Sequence, residues 1–316
     1  MTLHLPPDIA LSLAIALAVM IVDRVWHIPA RMHPLTLYRM LVVNLARKVC
    51  PGRQAPVAQH YISGTLGILV LTLPFLIVLA FILSLAEYRW FFDTLLLLVC
   101  LSFYPVRRQY KLIIHALSGN KKLLARERLS TLVARETHTL SEVGIAKAAI
   151  ESYLLRFVQQ YLGVIFWFLL TGPIGALAYR LLLEYRWQWH RKAARFSAFG
   201  LPAYWLTQCI LIAPYLLALL LVPLATSPLA AVKALKSTPE RDLSSLVLAL
   251  FGGGMHIQLG GPAIYAQTKY RRARVGGSRQ VRFSDLTHTL NAVNRATWLT
   301  MSLLTVLLII CWQLKL

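Results

Sequence analysis

The sequence predicts an all-α, polytopic integral membrane protein of five or six membrane segments with helical cytoplasmic loops. Three observations carry that expectation: apolar runs of up to 25 residues, a charged fraction of only 14%, and 33 Lys and Arg against 12 Asp and Glu. A soluble domain carries about a quarter charged residues. A chain of 316 residues that is 58% apolar, with mean hydropathy +0.61, lacks the polar surface to face water all round. A soluble globular enzyme is thereby excluded. The formal charge of +21 alone would fit a nucleic-acid binder, but such proteins do not combine it with this hydropathy. No nucleic-acid partner is expected; the partner is the lipid bilayer, with basic loops against an anionic leaflet.

The elements follow in order. The run 9–22 is short for a span, and no Lys or Arg precedes Arg24, so it reads as a retained anchor rather than a cleaved signal peptide. The run 62–86 reaches about 37 Å as a helix and crosses a ~30 Å core with tilt. The run 90–106 follows after a break containing Glu87 and Arg89, which makes a tight hairpin. The run 161–183 is interrupted by Thr171-Gly172-Pro173, and 203–225 contains Pro214 and Pro223. Membrane helices tolerate such prolines as kinks. The run 297–314 closes the chain.

Between these runs the loops are basic. Residues 26–61 hold five Lys and Arg with no acid, 107–160 ten against four acids, and 227–296 ten against three. The positive-inside tendency puts these three loops in the cytoplasm and the N-terminus outside. Strict alternation then leaves 184–202 outside, although it too is basic, with four against one. Either 161–183 or 203–225 is re-entrant, or that loop overrides the rule. The chain is read as one membrane domain, 1–316, with 107–160 and 227–296 as its larger cytoplasmic loop regions. Residues 120–149 read as mostly helix, broken near 137–140 and restarted by Ser141-Glu142. Thr238-Pro239-Glu240 leads into a helix over 243–251, and Ser284-Asp285 opens the one that runs into the last membrane run. Cys50, Cys100, Cys209 and Cys311 are scattered without a CxxC pair and read as thiols.

Generic catalytic motifs are absent, and the nine histidines show no metal-ligand spacing, so no metal site is expected. Asp23, Asp93 and Arg180 are the few ionisable residues in or beside apolar runs, which counts against ion-coupled transport. The glycines around Gly252 and Gly260 read as turns. Tyr185, Trp187, Trp189, Tyr204 and Trp205 read as an interfacial aromatic belt.

Four stretches resemble one family. They are Asp23-Arg24 with Met32-His33-Pro34-Leu35 and Arg39; Ala134-Arg135-Glu136-Thr137 with Leu140, Glu142, Gly144 and Glu151; Ile165-Phe166-Trp167 with Gly172-Pro173 and Ala178-Tyr179-Arg180; and Gln258-Leu259-Gly260-Gly261-Pro262 with Tyr265. In order and spacing they are similar to the CbiB/CobD membrane proteins of cobalamin biosynthesis, the adenosylcobinamide-phosphate synthases. The resemblance implies amide formation between the side-chain carboxylate of adenosylcobyric acid and an aminoalcohol phosphate, in the bacterial inner membrane, with a corrinoid as partner and with ATP and Mg as cofactors. It also implies Glu136, Glu142 and Glu151 as catalytic residues. Asp23, His33, Arg135, Gly260, Gly261 and Tyr265 would then bind substrate.

The departures are equally specific. Where the family carries the acidic, amide-rich segment "AENTSDG", this chain has Leu155, Arg156 and Gln159 in place of its Glu, Asn and Asp. The family's "NTLDSMVGYR" becomes the basic, aromatic stretch 183–192, and its later paired acids become Thr207 and Gln208. Amide formation from a carboxylate needs activation, commonly by a nucleotide with a cation held on carboxylates, and a base for the attacking ammonium. Losing acids from three places is the pattern of weak turnover. A non-catalytic relative of the same fold, like the membrane signalling protein AmpE, would show it too.

Overall fold

A computed structural model describes residues 8–29, 31–52, 54–239, 242–265 and 268–314. Twelve α-helices follow one another among the described residues: α1 (Asp8–Val25), α2 (Pro34–Val49), α3 (Val57–Ser84), α4 (Arg89–Leu101), α5 (Tyr104–Ser118), α6 (Lys122–Ser130), α7 (Glu142–Arg156), α8 (Gly163–Gln188), α9 (Leu201–Ala225), α10 (Pro228–Lys236), α11 (Leu243–Gly254) and α12 (Ser284–Gln313). A π-helical turn, Phe157–Leu162, joins α7 to α8. Between α11 and α12 lie β1 (Gln258–Gly260), β2 (Ala263–Tyr265), β3 (Thr268–Tyr270) and β4 (Arg274–Gly276), in two antiparallel pairs, β1 with β4 and β2 with β3. Five stretches are long and apolar enough to cross a membrane: Val57–Ser84, Arg89–Ser118, Glu142–Gln188, Leu201–Ala225 and Ser284–Gln313. The all-α polytopic expectation therefore holds, with the β pairs an addition that the sequence did not announce.

The helix starts follow local chemistry. Ser141 Oγ accepts from the Gly144 N–H at 3.2 Å, so α7 begins where the serine and first-turn acid indicated. Asp285 accepts from the Arg282 N–H at 2.7 Å at the opening of α12. Of the expected Thr238-Pro239-Glu240 cap, Glu240 lies outside the described residues; α11 starts at Leu243 after Asp242. Gly252-Gly253-Gly254 is not a turn but the buried last part of α11. The missing side chain of Gly253 lets α10 approach at Ala230, Ala231 and Ala234. The four cysteines are free thiols.

Two compact units result. One comprises Met1–Ser102, Gly163–Leu211 and Met301–Leu316; the other comprises Phe103–Leu162 and Ile212–Thr300. In the first, α8 does not run straight. Pro173 disfavours the α conformation at the residue before it, and Gly172 adopts φ 74°, ψ −169°, which only glycine reaches readily. Residues 163 and 179 would lie about 24 Å apart along a straight helix. Instead Gly163 packs against the Tyr179 phenol, and the Trp167 and Tyr179 rings are 6.2 Å apart. The 161–183 run is thus the one that folds back, whereas α9 stays continuous through Pro214 and Pro223.

The same unit joins two loops that strict alternation set on opposite sides. Arg39 reaches Glu184, and Trp189 Nε1 donates to Val42 O at 3.2 Å. Tyr185 and Trp189 are core residues rather than an interfacial belt: Trp189 is 1% exposed and packs its ring 4.6 Å from Tyr185 and 4.5 Å from Phe199. Trp205, at 56% exposed, fits the belt reading.

The second unit is centred on stacked aromatics. The Tyr110 and Tyr153 rings lie 4.2 Å apart and nearly parallel, with Phe103, Phe157 and Tyr161 continuing the cluster. Around it the 107–160 and 227–296 regions meet, since the Glu136 N–H donates to Ile264 O at 3.0 Å.

Candidate functional site

The second unit gathers its polar groups on Glu151. This residue sits on α7, whose other inward positions are apolar, and it is 8% exposed. Arg135 Nη2 donates to Glu151 Oε2 at 2.9 Å, and the Gly260 N–H donates to Oε1 at 2.8 Å. One carboxylate therefore fixes both the segment before α7 and the end of β1. Both oxygens are committed to protein donors, so Glu151 acts on its surroundings by holding them in place.

The segment that presents Arg135 is itself tied down. Arg126 Nη2 donates to Leu140 O at 2.6 Å, with Nε at 3.1 Å from the same oxygen. Glu136 follows directly, bound through its backbone to β2, with its carboxylate 3.7 Å from His138 Nε2. On the other side, Gly260 and Gly261 have φ of 74° and 92°, which carries the chain from β1 toward β2. The Gly261 N–H donates to Ala273 O at 3.0 Å, which places β4 beside the turn. Tyr265, in β2, stacks edge-on against Tyr270 with centroids 5.7 Å apart. Burial pushes its phenol above the ordinary range, against the pull of Arg135 and Arg272, and keeps it a neutral donor.

Of the residues singled out in the sequence, Glu136, Glu151, Arg135, Gly260, Gly261 and Tyr265 share this neighbourhood. Glu142 does not: it stands two and a half turns away, about 13 Å along α7. It lines a separate cavity of about 380 Å³ with Ser118, Asn120, Arg282 and Phe283. Asp23 and His33 belong to the first unit, where Asp23 is 2% exposed at the end of α1.

His33 is the N-cap of α2. Its Nδ1 accepts from the Leu35 N–H at 3.2 Å, which leaves the proton on Nε2. Burial, with Arg180 and Arg39 adding to it, holds the imidazole down at about 4. Nearby, Glu184 is fully buried and bound twice. Arg39 donates from Nε at 3.0 Å and Nη2 at 3.2 Å, and Arg180 Nη1 lies at 2.8 Å. Arg180 also donates from Nε to Cys100 O and lies over the Trp187 ring at 4.9 Å. Sequence reasoning passed over Glu184, although the spacing Arg180 to Glu184 is one helical turn.

The substituted positions form hydrogen-bond networks without an acid. Arg186 Nη1 donates to Thr207 Oγ1 at 3.0 Å and to Gln208 Oε1 at 3.1 Å, and Gln159 Nε2 donates to Tyr215 Oη at 2.9 Å. Among the described residues no three His, Cys, Asp or Glu side chains gather as metal ligands. Glu151 and Glu184 have every oxygen on a protein donor. These residues do not fit a divalent cation held by the protein.

Comparison with known proteins adds identity to this geometry. "Cobalamin biosynthesis protein CobD" of Chromobacterium violaceum is 29% identical over 295 residues, covering 92% of this chain and 94% of that one. The protein of the same name from Stutzerimonas stutzeri is 27% identical over 270 residues, covering 84% and 88%. No solved structure matches. The sequence model of the family described as CobD/Cbib protein matches residues 13–293, nearly the whole membrane chain, and the protein belongs to that family.

Proposed function

We propose that this chain acts at an amide-forming step of cobalamin biosynthesis in the bacterial inner membrane, joining adenosylcobyric acid to an aminoalcohol phosphate at the Glu151 site. One observation carries the reading. Glu151 binds Arg135 and Gly260, 16 and 109 residues away in sequence, and so unites two of the stretches on which the family resemblance rests. The carboxylate of the corrinoid must be activated, and the attacking ammonium must lose a proton to a nearby base. Glu151 positions Arg135 and the Gly260 turn for substrate; Glu136, with 24% of its side chain exposed, is the carboxylate we assign to the proton.

The test is product formation by the full chain in lipid nanodiscs, given adenosylcobyric acid, an aminoalcohol phosphate, ATP and Mg, and followed by mass spectrometry. Product should form slowly, and Glu151→Ala should lower its rate by about 10² through misplaced partners. Failure to bind adenosylcobyric acid at all would overturn the reading. A second reading, binding without turnover in a non-catalytic relative, draws support from the fully engaged oxygens of Glu151 and Glu184. Corrinoid binding with no product would select it.

A further inference from the structure

Gly261 lies at a point where two cations converge. A Cβ built on this glycine would sit 3.6 Å from Lys147 Nζ and 3.9 Å from Arg274 Nε, so both charged groups lie within 4 Å of one place on the turn. Lys147 is one helical turn before Glu151 on α7, and Arg274 is exposed in β4, paired across the ladder with Gly260. Neither cation has a hydrogen bond or ion pair among the described residues. The carboxylate within reach, Glu151, already serves Arg135 and Gly260. Asp242 is taken by Arg272 at 3.3 Å. With Arg135 paired to Glu151 and the Glu136 carboxylate set 3.7 Å from His138, Lys147 and Arg274 are left as two cations beside Gly261 that no carboxylate pairs among the described residues.

Like charges held this close repel, and the arrangement is relieved when an anion sits between them. A carboxylate would neutralise half of that charge. A phosphate monoester near neutral pH carries close to two negative charges and offers three acceptor oxygens, which matches the charge of the two converging cations. We propose that Lys147 and Arg274, converging beside Gly261, form a cradle for a phosphate monoester dianion. The proposal rests on reading the Glu151 neighbourhood as a substrate site, and it names the part of that site which grips the phosphate.

The experiment is calorimetric titration of inorganic phosphate into the full chain in zwitterionic nanodiscs. Phosphate should bind, more tightly at pH 7.5 than at pH 5.5 as it gains its second charge. Lys147→Gln and Arg274→Gln should each weaken it at least tenfold, and Lys147→Arg should restore part of the affinity. Arg274 is exposed, so its variant tests the cradle even if Lys147→Gln disturbs α7. Ethanolamine phosphate should displace the bound phosphate, whereas ethanolamine should not. Displacement by phosphatidic acid in the disc, with none by ethanolamine phosphate, would assign the cradle to a lipid headgroup of the same chemistry. Absent phosphate binding, or binding unchanged in both glutamine variants, overturns the proposal. Adenosylcobyric acid binding, titrated separately in the same discs, reports on the substrate reading alone.

Discussion

Glu184 and Glu151 are both buried carboxylates bound by arginine, yet they are connected differently. Glu184 receives two guanidiniums, from α2 and from α8, and Arg180 is in turn occupied by Cys100 O and the Trp187 ring. Glu151 receives one guanidinium and one backbone N–H, and further cations stand nearby without an acid of their own. The first arrangement closes on itself and fastens two helices. The second shapes a turn and leaves two cations unengaged. A buried acid is therefore not by itself the mark of a functional site; what distinguishes the two is whether every cation beside the acid is engaged.

The comparison breaks most directly at Glu184. Glu184→Ala would strand the buried Arg180 guanidinium and release the half-exposed Arg39, at a cost of about 3–5 kcal/mol. Thermal unfolding in detergent should show that loss as a much lower midpoint, while phosphate affinity stays within about twofold of the parent. A fall in phosphate affinity as steep as the fall in stability would erase the distinction. Arg39→Gln is a milder probe of the same cluster. Its side chain is 45% exposed, so solvent screening reduces the effect to about 1 kcal/mol. A cost as large as that of Glu184→Ala would mean that Arg39, rather than Arg180, carries the pairing.

The smallest effect is a pH slope. His33 titrates at about 4 in the folded chain against an ordinary 6.5, so the unfolded chain binds more protons between those values. Stability from this group is complete above pH 6.5 and declines as the pH falls toward 4. His33→Asn keeps a side chain able to cap α2 but removes the titration. The midpoint of that variant should depend less on pH over the same window. An unchanged slope would show that other groups set it.

Much of the fold could be read from the sequence because its determinants are local. The α7 start needs only Ser141 and a backbone N–H three residues on, and the break at Gly172 needs only Pro173 beside it. Glu151 is marked by the family resemblance of its stretch, and the structure places it among apolar inward residues of α7. The remainder is non-local. Arg39 and Glu184 are 145 residues apart, and nothing in either neighbourhood points to the other. The β strands are three residues each, too short for alternation to register. Tyr185 and Trp189 looked interfacial because composition does not separate an aromatic at a lipid boundary from one packed on Phe199. Lys147 and Arg274 were counted as two more loop cations, since their convergence is set by the turn at Gly261.

The fold at Gly172 also bears on how the chain enters a bilayer. The helix after it, from Pro173 to Gln188, has 16 residues and reaches about 24 Å, short of the ~30 Å hydrocarbon thickness. That limb is not an autonomous insertion unit. It has to enter together with the preceding helix, as a pair whose facing surfaces, Gly163 against Tyr179 and Trp167 beside it, are already in contact. A methyl group at Gly172 would meet no neighbour within 4 Å, so its cost lies wholly in the backbone angle. Position 172 is thus a site where biogenesis, rather than packing, registers the loss of a glycine.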